Sequence, residues 1–263
     1  MTRAATTRTV ADQITTLLTG FTLTTAAREM VSRFVEAAQQ PALPVLLDVL
    51  QLEAQERHER RITRLRRASK LPPGKTFDTL DEGRLPPALV RKLHELAEGD
   101  FLADATNVLA FGLPGVGKSH AMCAVGHALV DRGHAVLFMP TYSLVQELLA
   151  AKRNLELPRA LRKLDHYAVL LLDDVGYIQQ SPDEAEILFT LLAERYERRS
   201  VVITSNLIFA QWDRIFRDQM ATAAAIDRLV HHSVLLEFDV SSFRTEHAKR
   251  KGKATPSRTE AAS

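Results

Sequence analysis

The sequence predicts an α/β domain built on a five-stranded parallel sheet and preceded by a small α-helical N-terminal domain. Three observations lead there. From Asn107 onward, short apolar runs alternate with helical patterns, as they do where helices cover a parallel sheet. The first of those runs opens into a glycine-rich turn followed by a helical pattern. Upstream, two segments carry apolar residues at helical spacing.

In chain order, residues 24–40 read as an amphipathic helix capped by Thr24 or Thr25, with Met30 and Phe34, and Val31 and Val35, at i,i+4. Pro41 is expected to end it. Pro44 sits where a second helix begins, with Leu46, Leu47, Val49, Leu50 and Ala54 on its apolar face. That helix runs into Arg57, Arg60, Arg61, Arg64, Arg66 and Arg67, and Leu71-Pro72-Pro73-Gly74-Lys75 breaks it. Pro86 and Pro87 start a short helix. Strands are expected at Val108–Phe111, Ala135–Met139, Ala168–Leu172, Val201–Ser205 and Val234–Phe238. The resulting division is a helical domain with a basic helix over 1–70, a linker and short helix over 71–100, the α/β domain over 101–245, and a flexible basic tail over 246–263.

Composition agrees with this plan. At 263 residues, 46% apolar and 25% charged, the chain can bury one α/β core and a small accessory domain, and it is not a disordered protein. No stretch approaches the roughly 18 to 20 apolar residues of a membrane span, and the Thr-, Arg- and Ala-rich N-terminus lacks the apolar run of a signal peptide. A cytoplasmic protein is expected. The lone cysteine, Cys123, excludes an internal disulfide framework and a Cys-rich zinc module, and reads as a small buried apolar residue. The formal charge of +2 is unevenly spread: residues 56–70 and 244–258 each carry a net +5, which leaves about −8 elsewhere. Positive charge gathered in two flanking segments suits a polyanion partner, or two solvated surfaces.

Three motifs carry chemistry. Gly112-Leu113-Pro114-Gly115-Val116-Gly117-Lys118-Ser119 fits the phosphate-binding pattern G-x-x-x-x-G-K-[ST], between a strand and a helix as that pattern requires. Its glycines turn backbone N–H groups toward phosphates, the following helix points its positive end at them, Lys118 reaches the β and γ oxygens, and Ser119 ligates magnesium. The adjoining His120 belongs to the same expected binding segment. The apolar run Val169 to Leu172 delivers Asp173 and Asp174 to the carboxyl edge of the sheet, a Walker B pattern in which Asp173 holds magnesium and Asp174 orients or deprotonates the attacking water. A further strand ends in Thr204-Ser205-Asn206, with Asn206 as a γ-phosphate or water contact.

With these residues the chain resembles the AAA+ ATPases of the IstB and DnaC group, over roughly residues 100–245. The similarity lies in Leu172 to Tyr177, Glu194 to Ser200, Ile203 to Leu207 and Ala225 to His232. It implies an AAA+ P-loop domain with ATP and Mg2+ as cofactors. It also implies that Arg228 is an arginine finger acting on a neighbouring subunit's nucleotide, and Arg244 a second phosphate sensor. Asp174 stands where most AAA+ proteins carry Glu, and only 25 residues follow Phe238, short for a separate lid. Both recur in the group and imply a slow, switch-like ATPase. His231 and His232 have no third ligand near them, so no metal role is assigned.

The function the resemblance implies is a DNA-bound homo-oligomer, with ATP sites at subunit interfaces, that recruits or stimulates the transposase of the same insertion sequence. A DnaC-type helicase loader is the alternative. A nucleotide-binding structural DNA protein is a third reading; a small-molecule kinase fits poorly with Asp173-Asp174, Asn206 and Arg228 between basic flanks. Duplex DNA is expected on Arg57, Arg60, Arg61, Arg64 and Arg67, or on Lys152, Arg153 and Arg162. No membrane partner is expected.

Overall fold

The computed structural model describes residues 9–176, 181–212, 215, 219–240 and 242. The chain separates into two compact units, Met1–Arg64 and Leu65–Ser263. In the first, helix α1 (Val10–Gly20) opens with a reciprocal cap: the Asp12 amide donates to the Thr9 hydroxyl at 3.2 Å, and the Thr9 amide to the Asp12 carboxylate at 3.1 Å. Helix α2 spans Thr24–Glu36 and α3 spans Leu43–Ala68, with a 3-10 turn over Gln40–Ala42 between them. Ile14, Leu18, Leu43 and Leu47 form a small core, against which Met30, Val31, Phe34 and Leu50 pack.

Two details depart from the sequence reading. Helix α1 was not expected. Helix α2 takes Leu23 as its N-cap, without a side-chain hydrogen bond, and ends at Glu36, well before Pro41. The chain leaves it through Ala38 at φ 55, where the Gln39 amide reaches back to Phe34 O at 2.8 Å and closes the last turn.

The second unit is a parallel sheet of five strands in the order β2-β3-β4-β1-β5. In chain order its elements are α4 (Pro87–Glu98), β1 (Asn107–Gly112), α5 (Lys118–Asp131), β2 (Val136–Pro140), α6 (Thr141–Arg153), α7 (Leu157–Leu164), β3 (Val169–Val175), α8 (Pro182–Arg195), β4 (Ser200–Ser205), α9 (Gln219–Val230) and β5 (Ser233–Phe238). All five expected strands are present. Runs such as Val169 to Leu172 are apolar throughout because both faces of the sheet are covered, so neither set of alternate side chains meets water.

One core packs Leu109, Leu170, Leu172 and Ile203 against Leu148, Leu188 and Leu192 of α6 and α8. The other packs Val108, Leu171 and Val202 against Met122, Val125 and Leu129 of α5. Each such leucine taken from water contributes about 1.5–3 kcal/mol. Residues 71–98 belong to this second core, with Leu71, Leu80, Leu85, Leu89, Leu93 and Leu96 all buried in it. Cys123 is fully buried there, and burial pushes its thiol up to about 12, so it packs as an inert small side chain. Among the described residues, no helix is long and apolar enough to cross a membrane.

Candidate functional site

Because the strands are parallel, all their carboxyl ends meet at one edge of the sheet, and ligand sites of open α/β folds lie there. At that edge β1 runs into Gly112, whose φ is 151; a Cβ would meet Phe238 O at 2.6 Å and Phe238 Cβ at 2.9 Å. Only glycine lets β1 turn this close to β5. Gly117, at φ 98, then caps α5 and aims the positive end of that helix at the loop. Lys118 is 6% exposed, and its Nζ donates to the carbonyls of Gly112 at 2.7 Å and Leu113 at 2.9 Å. The ammonium is thereby held against the loop, and Gly115 and Ser119 line the same cavity as Lys118.

Strand β3 delivers the carboxylates. Asp173 is buried, and the Thr204 hydroxyl of β4 donates to its Oδ1 at 2.6 Å, fixing the plane of the carboxylate. The same hydroxyl accepts from the Asp174 amide at 2.9 Å. Between Leu172 and Val175 the β3–β4 ladder slips register, and Asp174 takes φ 59. A bulge at this point turns an exposed Asp174 out of the ladder, and aspartate is among the few residues that adopt left-handed backbone readily. Thr204 is thus a positioning residue that the sequence reading passed over in favour of its neighbour Asn206. Its signal was available, since a hydroxyl at a buried strand end needs a partner.

At the end of β4, Ser205 Oγ donates to Val175 O at 2.8 Å and accepts from the Leu207 amide at 3.0 Å, which sets the turn bearing Asn206. Asn206 Oδ1 is buried with no protein partner. A buried acceptor left open beside two carboxylates suits a water or another donor supplied by a bound ligand.

These groups line one cavity of about 360 Å3: Gly115, Gly117, Lys118, Ser119, Asp173, Asp174 and Asn206 converge on it. Pro114 and His120 border it, and Val116 is fully buried behind it. Four further residues of its wall were not foreseen, Lys75, Thr79, Leu80 and Asp81. Their segment is tied to α5 by side-chain bonds: His120 Nε2 lies 3.0 Å from Thr79 Oγ1 and 3.2 Å from Thr76 O, and His127 Nε2 lies 3.0 Å from Pro72 O. No local motif marks them, because the path of the chain across α5 brings them there. Oxygen donors at Ser119 and Asp173, an ammonium, a helix N-terminus and the open Asn206 acceptor together fit a nucleoside triphosphate with a hard divalent cation.

Arg228 lies elsewhere. It sits on the last turn of α9, its Nη1 donating to Ala224 O at 3.1 Å and its guanidinium 5.0 Å from the Phe189 ring centroid. Helix α9 leads into the start of β5, whose register runs from Asn107↔Ser233 to Gly112↔Phe238. Five steps of about 3.3 Å, roughly 16 Å of strand, separate that start at Ser233 from Phe238 beside the phosphate loop, and Arg228 is not among the residues that line the cavity. Near it, on the same amino edge, His231 and His232 do have a third neighbour in space: Glu197, from the turn between α8 and β4. Arg244 lies outside the described residues.

The basic residues divide similarly. On α3, Arg57 Nε bonds Glu53 at 2.5 Å and stacks 4.3 Å from the Phe21 ring, while Arg60 lies 3.5 Å from Glu53 and 3.6 Å from Glu56. Arg61, Arg64 and Arg67 are exposed on the same helix. In the second set Lys152 pairs with Glu186 of α8 at 2.9 Å, and Arg153 and Arg162 are exposed.

Comparison with known proteins follows the same lines. The family model described as IstB-like ATP binding protein matches residues 16–251. An insertion-sequence ATP-binding protein of Sinorhizobium fredii is 42% identical over 220 residues, 82% of this chain and 74% of its own. The IS21 ATP-binding protein of Pseudomonas aeruginosa is 39% identical over 211 residues, covering 80% and 79%. Among solved structures, AMPPCP-bound DnaA from Aquifex aeolicus aligns with a TM-score of 0.55 at 19% identity, over 70% of this chain and 56% of that one. DnaI aligns at 0.53 and 21%, over 64% and 94%. At those identities the structural likeness is one of fold, the AAA+ arrangement. The sequence match, by contrast, reaches from α1 past the last strand, and the chain belongs to the IstB-like ATP-binding proteins.

Proposed function

We propose that the chain is an AAA+ ATPase that assembles on duplex DNA as a homo-oligomer and, in its ATP state, recruits or stimulates the transposase of its own insertion sequence. The observation that supports this reading is that Arg228, on the helix preceding β5, is absent from the residues lining the cavity of Lys118, Asp173, Asp174 and Asn206. A chain that keeps its finger on the far edge of the sheet completes a site only by lending it to a second copy. Relatives described as insertion-sequence ATP-binding proteins supply the biological setting.

In this mechanism the loop amides and Lys118 bind the β- and γ-phosphates. Ser119 and Asp173 would hold Mg2+, which neutralises charge on those oxygens. Asp174 takes a proton from, or orients, the attacking water, and Asn206 fixes that water or the γ-phosphate. Arg228 from the adjoining subunit stabilises charge developing on the transferred phosphoryl group. Hydrolysis then releases the assembled state.

The test is complementation in mixtures. Arg228→Ala and Asp174→Asn subunits, each inactive alone, regain hydrolysis when combined, because one supplies the finger and the other the carboxylate to a shared site. Absence of recovery at every ratio, in mixtures proven to co-assemble, would overturn the shared-site reading.

A further inference from the structure

The amino edge of the sheet holds a cluster that nothing in the ATPase mechanism uses. His231 and His232 follow α9, and Glu197 follows α8; one ligand atom from each lies within 4.8 Å of the other two. Among the described residues this is the only group of three or more His, Cys, Asp or Glu side chains placed to share an ion. All three are exposed, so their rotamers are free to draw in to the roughly 2.0–2.2 Å bonds that a divalent transition metal makes with imidazole and carboxylate.

We infer that Glu197, His231 and His232 form a binding site for a divalent transition cation of the zinc, cobalt or nickel class, which cross-links the α8–β4 and α9–β5 turns. Two imidazoles and one carboxylate select such metals over magnesium or calcium, which prefer all-oxygen shells. Three protein ligands leave a fourth position open to water or to a group from another molecule.

The surroundings orient one imidazole and fix the backbone beneath the cluster. The Tyr196 hydroxyl lies 3.2 Å from His231 Nδ1. In the tautomer with Nδ1–H donating to that oxygen, the Nε2 lone pair is left for a metal, the arrangement by which outer-sphere partners orient ligating histidines. Beneath the cluster the backbone is pinned: the Asn107 amide donates to His232 O at 2.8 Å, and the Arg198 amide to Arg195 O at 3.0 Å. Glu197 itself sits at φ 55, a conformation that glutamate adopts only where its surroundings impose it.

The site goes beyond the proposed ATPase and is tested without it. The tag-free full-length protein is titrated with Zn2+ against a chromophoric chelator, and with Co2+ while visible absorption is recorded. One tightly bound equivalent is expected, with affinity falling about tenfold or more in each of Glu197→Gln, His231→Ala and His232→Ala, as perturbation of metal shells commonly costs. Asp173→Asn, which alters the nucleotide site, should keep the full equivalent. Zn2+ should raise the thermal midpoint of the parent and leave those of the three ligand variants unmoved, since a ligand specific to the native state stabilises it by mass action. Binding that survives all three ligand substitutions within about twofold, against the tenfold step expected, overturns the assignment. So does binding that disappears in Asp173→Asn, or absence of a bound equivalent in the parent.

Discussion

The two edges of one parallel sheet solve opposite problems. At the carboxyl edge the chain gathers Lys118, Asp173, Asp174 and Asn206 around a single cavity, with Thr204 bonding both carboxylate-bearing residues. At the amino edge Glu197, His231 and His232 are exposed and Arg228 is half-buried against Phe189, and the buried work is structural. Arg195, 2% exposed, donates to the carbonyls of Leu164 at 3.1 Å, Tyr167 at 3.0 Å and Ser200 at 3.0 Å. Burial pushes its guanidinium down to about 10, so it stays charged at neutral pH. On the proposed mechanism the phosphate and magnesium contacts come from the cavity of one chain, whereas the finger that acts on a partner comes from the opposite end of the sheet.

The largest expected effect breaks the amino edge alone. Arg228→Ala should lower kcat for ATP hydrolysis by about a thousandfold, the lower range for an arginine finger, while ATP affinity by equilibrium titration stays unchanged. Affinity falling in parallel with kcat would return Arg228 to its own chain's nucleotide. At the other edge, Asp174→Asn should cost about 100-fold or more in kcat, the range for loss of a general base, with ATP still bound. DNA complexes of that variant should outlast those of the parent on a native gel, because the ATP state is trapped. Equal or shorter lifetimes would argue against an assembly that ATP stabilises. Lys118→Ala removes a charge-assisted contact to phosphate and should weaken ATP binding by about 100-fold, near 3 kcal/mol. Unchanged binding would remove Lys118 from its role.

A structural probe of the amino edge comes next. Arg195→Leu removes the guanidinium donors from the carbonyls of Tyr167 and Ala168, in the turn before β3, and of Ser200 at the start of β4, while Leu164 O keeps the Tyr167 amide. The expected loss is about 3 kcal/mol, read as a shift of the urea midpoint at constant m. A midpoint within experimental scatter of the parent's would mean that water reaches those carbonyls and that the clamp is not needed.

The same contrast explains what was legible in the sequence. The carboxyl edge is written in consecutive residues, since a phosphate loop needs glycines at fixed offsets and an apolar strand ending in Asp-Asp announces both its burial and its edge. The five strands were readable for the same reason, as Val169 to Leu172 is apolar on both faces. Lys75, Thr79 and Asp81 were not readable, because they join the cavity through tertiary bonds of His120 and His127 to residues more than 40 positions earlier. Glu197 was hidden likewise: 34 residues separate it from His231, and only the β4–β1–β5 order brings their turns together. Helix α1 was missed because its threonines are poor helix formers. The Thr9–Asp12 cap and the i,i+4 pair Ile14 and Leu18 were the signals that marked it.

The smallest effect, and the one that reaches outside the sheet, concerns the basic helix α3. Its arginines are partly committed already: a hydrogen bond from Arg57 and the charges of Arg57 and Arg60 hold the Glu53 carboxyl below its ordinary range against desolvation. Surface pairs of this kind are worth little, so phosphates can displace Glu53 and Glu56 at small cost. Each phosphate neutralised adds about 0.9 to the slope of log affinity against log salt. Replacing Arg60, Arg61 and Arg64 by Ala should therefore flatten the slope for duplex binding in the presence of ATP by up to about 2.7, with little change in sequence preference, since backbone contacts position and do not specify. The matched control replaces Lys152, Arg153 and Arg162, where Lys152 must first leave Glu186. A slope that flattens only in the control moves the DNA from the N-terminal helix to the α6–α7 surface of the ATPase unit, and assigns α3 to a protein partner.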